Sequence, residues 1–447
     1  MLKTTGGRGF CLMILAILFV MGLTVYTIEE LAPVTETRLA DCEERVADLN
    51  EKLSSASADE SKAIEKKIGE YESRISMLKN RTMLYMVSMG MIFLFLILAL
   101  LYQQKTHANF SAPVAALSLL LAIGISFRAV VALTVSDVLF LALAMAAMVA
   151  VYFVLRNVKD VKDGIFIALA ACIAGLILVN LIFGSTVNGA RLWIRIGSFS
   201  FQPGELLKVF LIAMCAFSYG KKWRVTLTFL MGAISFATLF LLRDLGSAAI
   251  IFALVLGMTV LLLDNEKLFV VLLLITVMVF FAAVTFVPYA HERVENVGEA
   301  MELNGQQAQM LKACIFGGLG GLGIENSSHI INIYAIENDM VVAGIYSVFG
   351  IGMLLVVMLS YCILVLTPRK NYAIFPWCYF VTVQVSVVLC AHVLLNFLGS
   401  LDVLPFTGIV APFLSKGGTS LLTFGILMGM VFASLNPSVK FKEVEKK

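Results

Sequence analysis

Residues 83–103 read MLYMVSMGMIFLFLILALLYQ and contain no charged side chain. A run of about 20 such residues matches the thickness of a bilayer core, and similar runs recur along the whole chain. The composition agrees, because 60% of the 447 residues are hydrophobic and only 14% are charged. A soluble domain carries about 25% charged residues. The sequence therefore predicts an all-α polytopic membrane protein.

Twelve runs have the length and composition of transmembrane helices. We expect spans at 10–29, 83–103, 112–134, 137–155, 164–184, 202–219, 224–243, 246–263, 267–288, 341–366, 373–398 and 418–435. The short loops on one side carry most of the lysines and arginines, which marks that side as cytoplasmic. The even number of spans then places both termini in the cytoplasm, in a multi-pass protein of the cytoplasmic membrane.

The first span could instead be a cleaved signal peptide. It is longer than a typical signal core, and Glu29 and Glu30 stand where a small-residue cleavage site is expected. We therefore expect a retained helix. The eight cysteines are scattered, mostly inside spans, without the spacing of a metal site or a disulfide framework.

Residues 30–80 form a polar insertion that should lie outside. Apolar residues follow 3-4-3-4 spacing in two runs, from Leu39 to Leu53 and from Ile64 to Leu78, which predicts two helices with an apolar seam. We expect an antiparallel hairpin standing on the first two spans. It is either a self-contained stalk or a docking surface for a partner protein.

Three further outside segments are rich in polar residues, Gly and Pro: residues 185–203, 289–340 and 399–417. Such backbone is tolerated at membrane depth where it is buried in protein or lines a wet cavity. The pattern indicates a polar chamber that opens outward.

Arg243 and Asp244 interrupt an apolar stretch at the outside end of the seventh span. Charges at such positions are costly and usually face a cavity, and a carboxylate there could act as a general base. The alternative is that Arg243 and Asp244 pair with each other and only fix the helix end.

Basic residues surround the outside mouth of the predicted chamber. Arg191, Arg195 and Lys416 would suit a phosphate or pyrophosphate group. Glu205 and Lys208 share one helix face at i, i+3 spacing, so Lys208 either is neutralised by Glu205 or contributes to an anionic headgroup site.

Two other polar positions have simpler structural readings. Asp339 opens a span and could be only an N-terminal helix charge. His392 and Asn396 are four residues apart, and we favour interhelical hydrogen bonding over catalysis for them.

The outside segments contain motifs that resemble, in order and spacing, those of the SEDS family of cell-wall proteins, the RodA/FtsW/SpoVE group. Residues 188–194 and 201–208 resemble NGAxRWI and FQPSExxK, and residues 244–248 resemble PDLGTA. Residues 309–323, 338–340, 404–408 and 412–420 resemble QSxxAxxxGGLxGxG, HTDF, LPxTG and PFxSYGGSS. The family has ten spans, so residues 112–436 resemble its core, residues 1–111 are an N-terminal addition and 437–447 a cytoplasmic tail.

The resemblance implies a peptidoglycan glycosyltransferase that polymerises lipid II on the outer face of the membrane. Asp244 matches the essential aspartate of the family, with a proposed role as general base toward the attacking sugar hydroxyl and undecaprenyl pyrophosphate as leaving group. Other residues match family motif positions or lie at the outside mouth of the predicted chamber, and we expect them to bind substrate. They are Arg191, Trp193, Arg195, Gln202, Glu205, Lys208, Gln309, Asp339, Ser415 and Lys416.

The resemblance also implies partners. These are a class B penicillin-binding protein that supplies the transpeptidase, and other membrane proteins of the divisome or elongasome; no nucleic acid is expected. A divalent cation, Mg²⁺ or Mn²⁺, is compatible with the family but leaves no ligand signature in the sequence.

The chain departs from the family pattern at several motif positions. Arg243 replaces the proline before the aspartate, and the other departures are Leu192, Gly204, Ser347, Val348, His392 and Lys416. Two alternatives therefore stand beside the transferase. One is a non-catalytic scaffold for the transpeptidase, and the other is a flippase for lipid-linked precursors, which the clustering of polar residues on one side disfavours.

Overall fold

A computed structural model describes residues 5–55, 58–106, 110–187, 190–196, 199–263, 269–274, 305–330, 336–366 and 376–435, and also 267, 278, 285, 297–298 and 333. The helices in these residues are α1 Thr5–Leu53, α2 Ala58–Thr106, α3 Ser111–Val131, α4 Val135–Leu155, α5 Asp163–Phe183, α6 Pro203–Ala216, α7 Lys222–Leu241, α8 Leu245–Leu263, α9 Gln306–Gly317, α10 Val341–Val365, α11 Pro376–Ser400 and α12 Gly418–Leu435. A 3₁₀ helix covers Glu325–His329.

Ten of these helices are long and apolar enough to cross a membrane, and they match ten of the twelve predicted spans. The predicted span at 202–219 is too long, because α6 has only 14 residues and extends about 21 Å, less than the ~30 Å of a bilayer core. Of the predicted span at 267–288 the structure describes residues 267, 269–274, 278 and 285, all helical. Most of the loop before residue 305 and the tail at 437–447 lie outside the described residues.

The helices α1 and α2 continue without interruption from the predicted spans into the polar insertion. Each has 49 residues, and Pro33 lies inside α1 rather than ending it. Cys42 and Ile68 are buried in the seam between the two polar arms, and Arg45 donates a hydrogen bond to the Tyr71 hydroxyl across it at 3.3 Å. The insertion is therefore a helical hairpin, here called the stalk.

At their membrane ends α1 and α2 pack against α3. Tyr85 is buried and its hydroxyl lies 3.0 Å from Ser126 Oγ on α3. Arg38 donates to the Val130 carbonyl at the end of α3, at 3.1 Å, and to Ser327 Oγ at 3.4 Å. The added helices are thus bonded to the core rather than only tethered to it.

The core is arranged around α3, which is buried along nearly its whole length. Helices α4 and α12 approach closely through glycines of α12, because a Cβ at Gly425 or Gly429 would stand 2.6 Å or 2.5 Å from a backbone carbonyl of α4. Small residues of this kind let membrane helices pack backbone to backbone.

A three-stranded antiparallel meander joins α5 to α6, where the sequence analysis predicted only a loop. Its strands are β1 Ser185–Val187, β2 Ala190–Ile196 and β3 Phe199–Phe201. The alternation in ARLWIRI has the period of a strand, and the structure agrees where it describes the side chains, since Ile194 is buried and Arg195 is exposed.

Candidate active site

The turn between α7 and α8 places Asp244. The Arg243 N–H bonds to the Phe240 carbonyl and the Asp244 N–H to the Leu239 carbonyl, at 3.1 and 3.0 Å. This is a Schellman motif, whose first residue beyond the cap takes a left-handed conformation and is usually glycine. Arg243 occupies that position with a φ of 62°. The motif reverses the chain and delivers Asp244 directly to the start of α8.

Asp244 caps α8 with one of its two carboxylate oxygens. Its Oδ1 accepts the Ser247 N–H at 3.0 Å, the usual bond of an N-cap aspartate. Its Oδ2 is buried and has no hydrogen-bond partner among the described residues. Burial raises the pKa of Asp244, and Glu205 raises it further, while the bonds from Ser247 and the charge of Lys208 lower it. A carboxylate with a raised pKa and an unpartnered oxygen is suited to accept a proton.

The start of α6 lies beside Asp244, since a Cβ at Gly204 would stand 4.0 Å from Asp244 Oδ2. Glu205 follows, and its Oε1 pairs with Lys208 Nζ at 2.7 Å, with both side chains almost fully buried. The two residues are therefore paired with each other, one of the two alternatives that the sequence left open. Glu205 Oε2 has no hydrogen-bond partner among the described residues.

His392 on α11 completes this charged cluster. Its Nε2 lies 2.9 Å from Lys208 Nζ, and its Nδ1 lies 2.9 Å from the Val410 carbonyl oxygen. Because a carbonyl only accepts hydrogen bonds, Nδ1 carries the ring proton and Nε2 accepts from Lys208. Sequence reasoning placed His392 as an interhelical contact but missed Lys208 as its partner.

The segment after α11 is held against the site by backbone contacts. Asn396 donates to the carbonyls of Asp339 and Ile409 at 2.9 and 2.8 Å. Both acceptors lie outside helices, so Asn396 joins α11 to loop backbone, and the predicted interhelical bond is made by His392. The segment crosses the first turn of α8, where a Cβ at Gly246 would stand 2.7 Å from the Ile409 side chain. A side chain at position 246 would force Ile409 to shift.

Ser415 and Lys416 join this segment to the turn before α10. Ser415 Oγ donates to the Asn338 carbonyl at 2.5 Å, and Lys416 Nζ pairs with Glu337 Oε2 at 2.7 Å. The charge of Lys416 is therefore already countered by Glu337, which the sequence analysis did not single out. Burial raises the pKa of Asp339, in the same turn, to about 6.

The remaining predicted site residues are less tightly placed. Trp193 is half-buried on β2 and Arg195 is exposed, while the side chain of Arg191 lies outside the described residues. The Gln202 N–H lies 3.4 Å from Thr419 Oγ1 at the start of α12. Gln309 is exposed on α9, and the bond from α9 to the core comes from Gln307, which donates to the Gly399 carbonyl at 2.9 Å.

The glycine run at 317–323 packs against a break in α10. Gly350 has a φ of 76° inside α10, and the Leu322 and Gly323 N–H groups bond to the carbonyls of Ser347 and Val348. A Cβ at Gly321 would stand 2.4 Å from the Val348 carbonyl oxygen. The glycines therefore permit direct backbone contact at Ser347 and Val348, two of the positions where the chain departs from the family pattern.

In the described part of the chain, no group of three or more His, Cys, Asp and Glu side chains is placed to hold a metal ion. The donor set around Asp244 offers two carboxylates, one of them bonded to Lys208. The described residues do not by themselves form a site for the divalent cation that the family resemblance suggests.

The family profile described as the FtsW, RodA and SpoVE cell cycle proteins matches residues 127–437, more than half of the chain and all of the site described above. The chain belongs to this family. The SEDS resemblance of the sequence motifs is thereby confirmed, and α1 and α2 lie outside the matched region.

Individual relatives agree with this assignment. The probable peptidoglycan glycosyltransferase FtsW of Pseudoalteromonas translucida is 26% identical over 321 residues, covering 61% of this chain and 78% of the relative. Among solved structures, a chain of a peptidoglycan synthase complex has a TM-score of 0.56 at 22% identity, covering 73% of this chain and 98% of the other. Thermus thermophilus RodA has a TM-score of 0.51 at 19% identity, covering 75% and 99%. At these identities the solved structures support the fold.

Proposed function

We propose that this SEDS protein is a peptidoglycan glycosyltransferase that polymerises lipid II on the outer face of the cytoplasmic membrane, with both termini in the cytoplasm. The observation that carries the proposal is the buried Asp244 carboxylate, whose Oδ2 has no hydrogen-bond partner within the described residues. Its relatives support the reaction class, since FtsW of Pseudoalteromonas translucida is named as a probable transferase of this kind.

In the proposed reaction, Asp244 Oδ2 takes the proton from a sugar hydroxyl as that oxygen attacks the anomeric carbon of a lipid-linked sugar. A new glycosidic C–O bond forms, the C–O bond to the pyrophosphate breaks, and the electron pair leaves with undecaprenyl pyrophosphate. General-base catalysis of this kind contributes about 10²–10⁴-fold to a rate. The capping bond from the Ser247 N–H to Oδ1 fixes the orientation of the carboxylate.

The leaving group needs positive charge nearby. Lys208 is supported as that cation by its ion pair with Glu205, the residue that follows Gly204 beside Asp244 Oδ2. His392 and Glu205 hold its ammonium in place. We assign Lys416 a lesser role, because its ion pair is with Glu337 and not with the cluster of Glu205, Lys208 and His392 beside Asp244. The proposal involves no step through a divalent cation.

A class B penicillin-binding protein is the proposed partner. A structural neighbour of this chain belongs to a peptidoglycan synthase complex described as coordinating polymerization and crosslinking. A polymerase whose strands are crosslinked needs a transpeptidase close by, and the core that resembles that neighbour is the part expected to contact it.

The test is polymerisation of purified lipid II by the full chain, alone and with its cognate class B partner. Wild type should yield glycan strands, and Asp244→Asn should abolish them while the protein remains folded. Asp48→Asn, an exposed aspartate on the stalk, is the matched control and should remain active. Strand synthesis by Asp244→Asn at the wild-type rate would refute the assignment.

The scaffold remains the second candidate, because Ser347 and Val348 stand where the family has glutamates and both are buried against the glycine run. A scaffold predicts no strands from wild type even with the partner present. It also predicts that partner binding persists in Asp244→Asn.

A further inference from the structure

An apolar groove lies where the added helix α2 meets the core. It has a volume of about 330 Å³ and is lined by α2 residues such as Phe95 and Leu98, by Val149 and Phe153 of α4, and by Phe432 of α12. It is open at the side, since Leu98 and Val149 are 55% and 42% exposed. In a membrane these exposed side chains face lipid, so the groove opens to the bilayer.

The groove ends in a polar rim. Tyr102 of α2 and Tyr152 of α4 both line it, and their hydroxyl oxygens are 3.0 Å apart. Arg156 donates a hydrogen bond to the Tyr102 hydroxyl, and its guanidinium carbon lies 5.5 and 5.7 Å from the ring centres of Tyr152 and Phe153. An arginine is thus fixed at one end of an otherwise apolar slot.

A second cation stands at the same end. Lys105 follows Tyr102 by three residues on α2, so it lies on the groove side of the helix, one turn beyond the lining, and its side chain is exposed. This end of both helices is the one that the charge pattern predicts to be cytoplasmic. Basic residues between membrane helices on that side suit anionic lipid headgroups.

We propose that this groove binds one acyl chain of an anionic phospholipid, with its phosphate held at the rim by Arg156 and Lys105. The lining from Phe95 to Tyr102 extends about 10 Å along α2, which accommodates part of an acyl chain. A bound lipid would bridge α2, α4 and α12, and thus join the N-terminal addition to the family core. The inference does not depend on the proposed transferase activity.

The charge at the rim decides between a lipid and a membrane helix of a partner protein as the occupant. A partner helix would fill the apolar slot but would not require cations at its end. An anionic phospholipid would contact the apolar lining with its acyl chain and the two cations with its phosphate. It therefore explains both features of the groove.

The test is native mass spectrometry of the full chain from detergent, after addition of phosphatidylglycerol or of phosphatidylcholine with the same acyl chains. Wild type should retain phosphatidylglycerol in preference to phosphatidylcholine. Val149→Trp fills the groove and should reduce retention roughly tenfold, the change that about 1.4 kcal/mol produces. Leu143→Trp, at an exposed α4 position outside the groove, is the matched control and should retain lipid.

Lys105→Gln changes an exposed side chain and should leave the fold intact. It should lower the preference for phosphatidylglycerol while phosphatidylcholine retention stays as in wild type. Equal retention by the two tryptophan variants would overturn the proposal, and a partner helix as occupant would give that result. Equal retention of the two lipids by wild type would overturn it as well.

Discussion

At the scale of single residues, the site depends on how two carboxylates share one small buried volume. Asp244 and Glu205 each use one oxygen for a hydrogen bond and leave the other without a partner in the described structure. Lys208 supplies the one positive charge bonded to Glu205. The electrostatic potential at the two carboxylates therefore depends on the position of the Lys208 ammonium.

The pKa of Asp244 sets the pH dependence of the proposed reaction. An ordinary aspartate titrates near ~3.9, and burial raises the pKa of Asp244 above that value. A general base works only when ionised, so the polymerisation rate should fall as the pH drops through the raised pKa, at higher pH than for an ordinary aspartate. A pH–rate profile of kcat/KM measures this, and a rate that stays flat down to the ordinary range would contradict it.

His392 should act as a positioning residue for Lys208. His392→Gln keeps an acceptor for the Lys208 ammonium and should retain activity. His392→Leu removes that acceptor and should lower activity. In His392→Leu the Lys208 ammonium keeps its bond to Glu205 but loses its second acceptor, and a buried donor left without a partner costs about 1–3 kcal/mol. Thermal unfolding measures the change in stability of each variant, and separate values of KM and kcat measure the change in activity. If Gln and Leu behaved alike, the hydrogen bond from Lys208 to Nε2 would be irrelevant.

At the scale of elements, backbone contacts that need glycine hold the site together. The glycine run after α9 meets the break in α10, and Gly321 and Gly323 both have positive φ, 81° and 77°. The two glycines differ in the room available for a side chain. A Cβ at Gly321 would collide with the backbone of Val348, whereas a Cβ at Gly323 would meet nothing within 4 Å.

This difference predicts unequal costs for two matched substitutions. Gly323→Ala should cost only the left-handed backbone, about 1–2 kcal/mol, while Gly321→Ala should cost clearly more because Val348 must also shift. Thermal or denaturant unfolding in detergent measures both. Equal losses would show that the contact between the run and α10 is loose.

The elements also show where sequence reasoning succeeds and where it stops. Runs of about 20 apolar residues predicted ten long helices, because burial in lipid leaves the backbone few alternatives. The meander at 185–201 and the end of α6 already at Ala216 were not predicted, since both depend on protein packing at the site rather than on lipid. Asp244 could be singled out as a charge in an apolar hairpin. The bond of Lys208 to His392 joins residues 184 positions apart, and no local pattern reveals it.

At the scale of the whole molecule, two contacts decide how the stalk relates to the core. Above Arg45 and Tyr71, Ile68 is buried and Leu49 and Ile64 are half-buried, so the two arms pack against each other. Below that level, Tyr85 and Arg38 bond to α3. Stability of the core should therefore depend on the lower contacts and not on the upper arms.

Replacing residues 46–70 by a short Gly/Ser linker should leave the thermal unfolding of the core unchanged. Tyr85→Ala, by contrast, should cost about 3–5 kcal/mol, as expected for truncating a buried aromatic ring. Unfolding temperatures of the two variants against wild type make the comparison. A shortened chain that melted as low as Tyr85→Ala would show that the arms stabilise the core.

The unbroken length of α1 and α2 has a mechanical consequence. A helix of 49 residues is about 73 Å long, and a bilayer core takes up ~30 Å of it, which leaves roughly half of each rod standing in the space beyond the lipid. Two such rods side by side resist bending, so a sideways push on the tip becomes a tilt of the buried ends against α3. The part of each helix outside the membrane is longer than the part inside it, so a displacement of the tip moves the membrane-embedded end by a smaller distance.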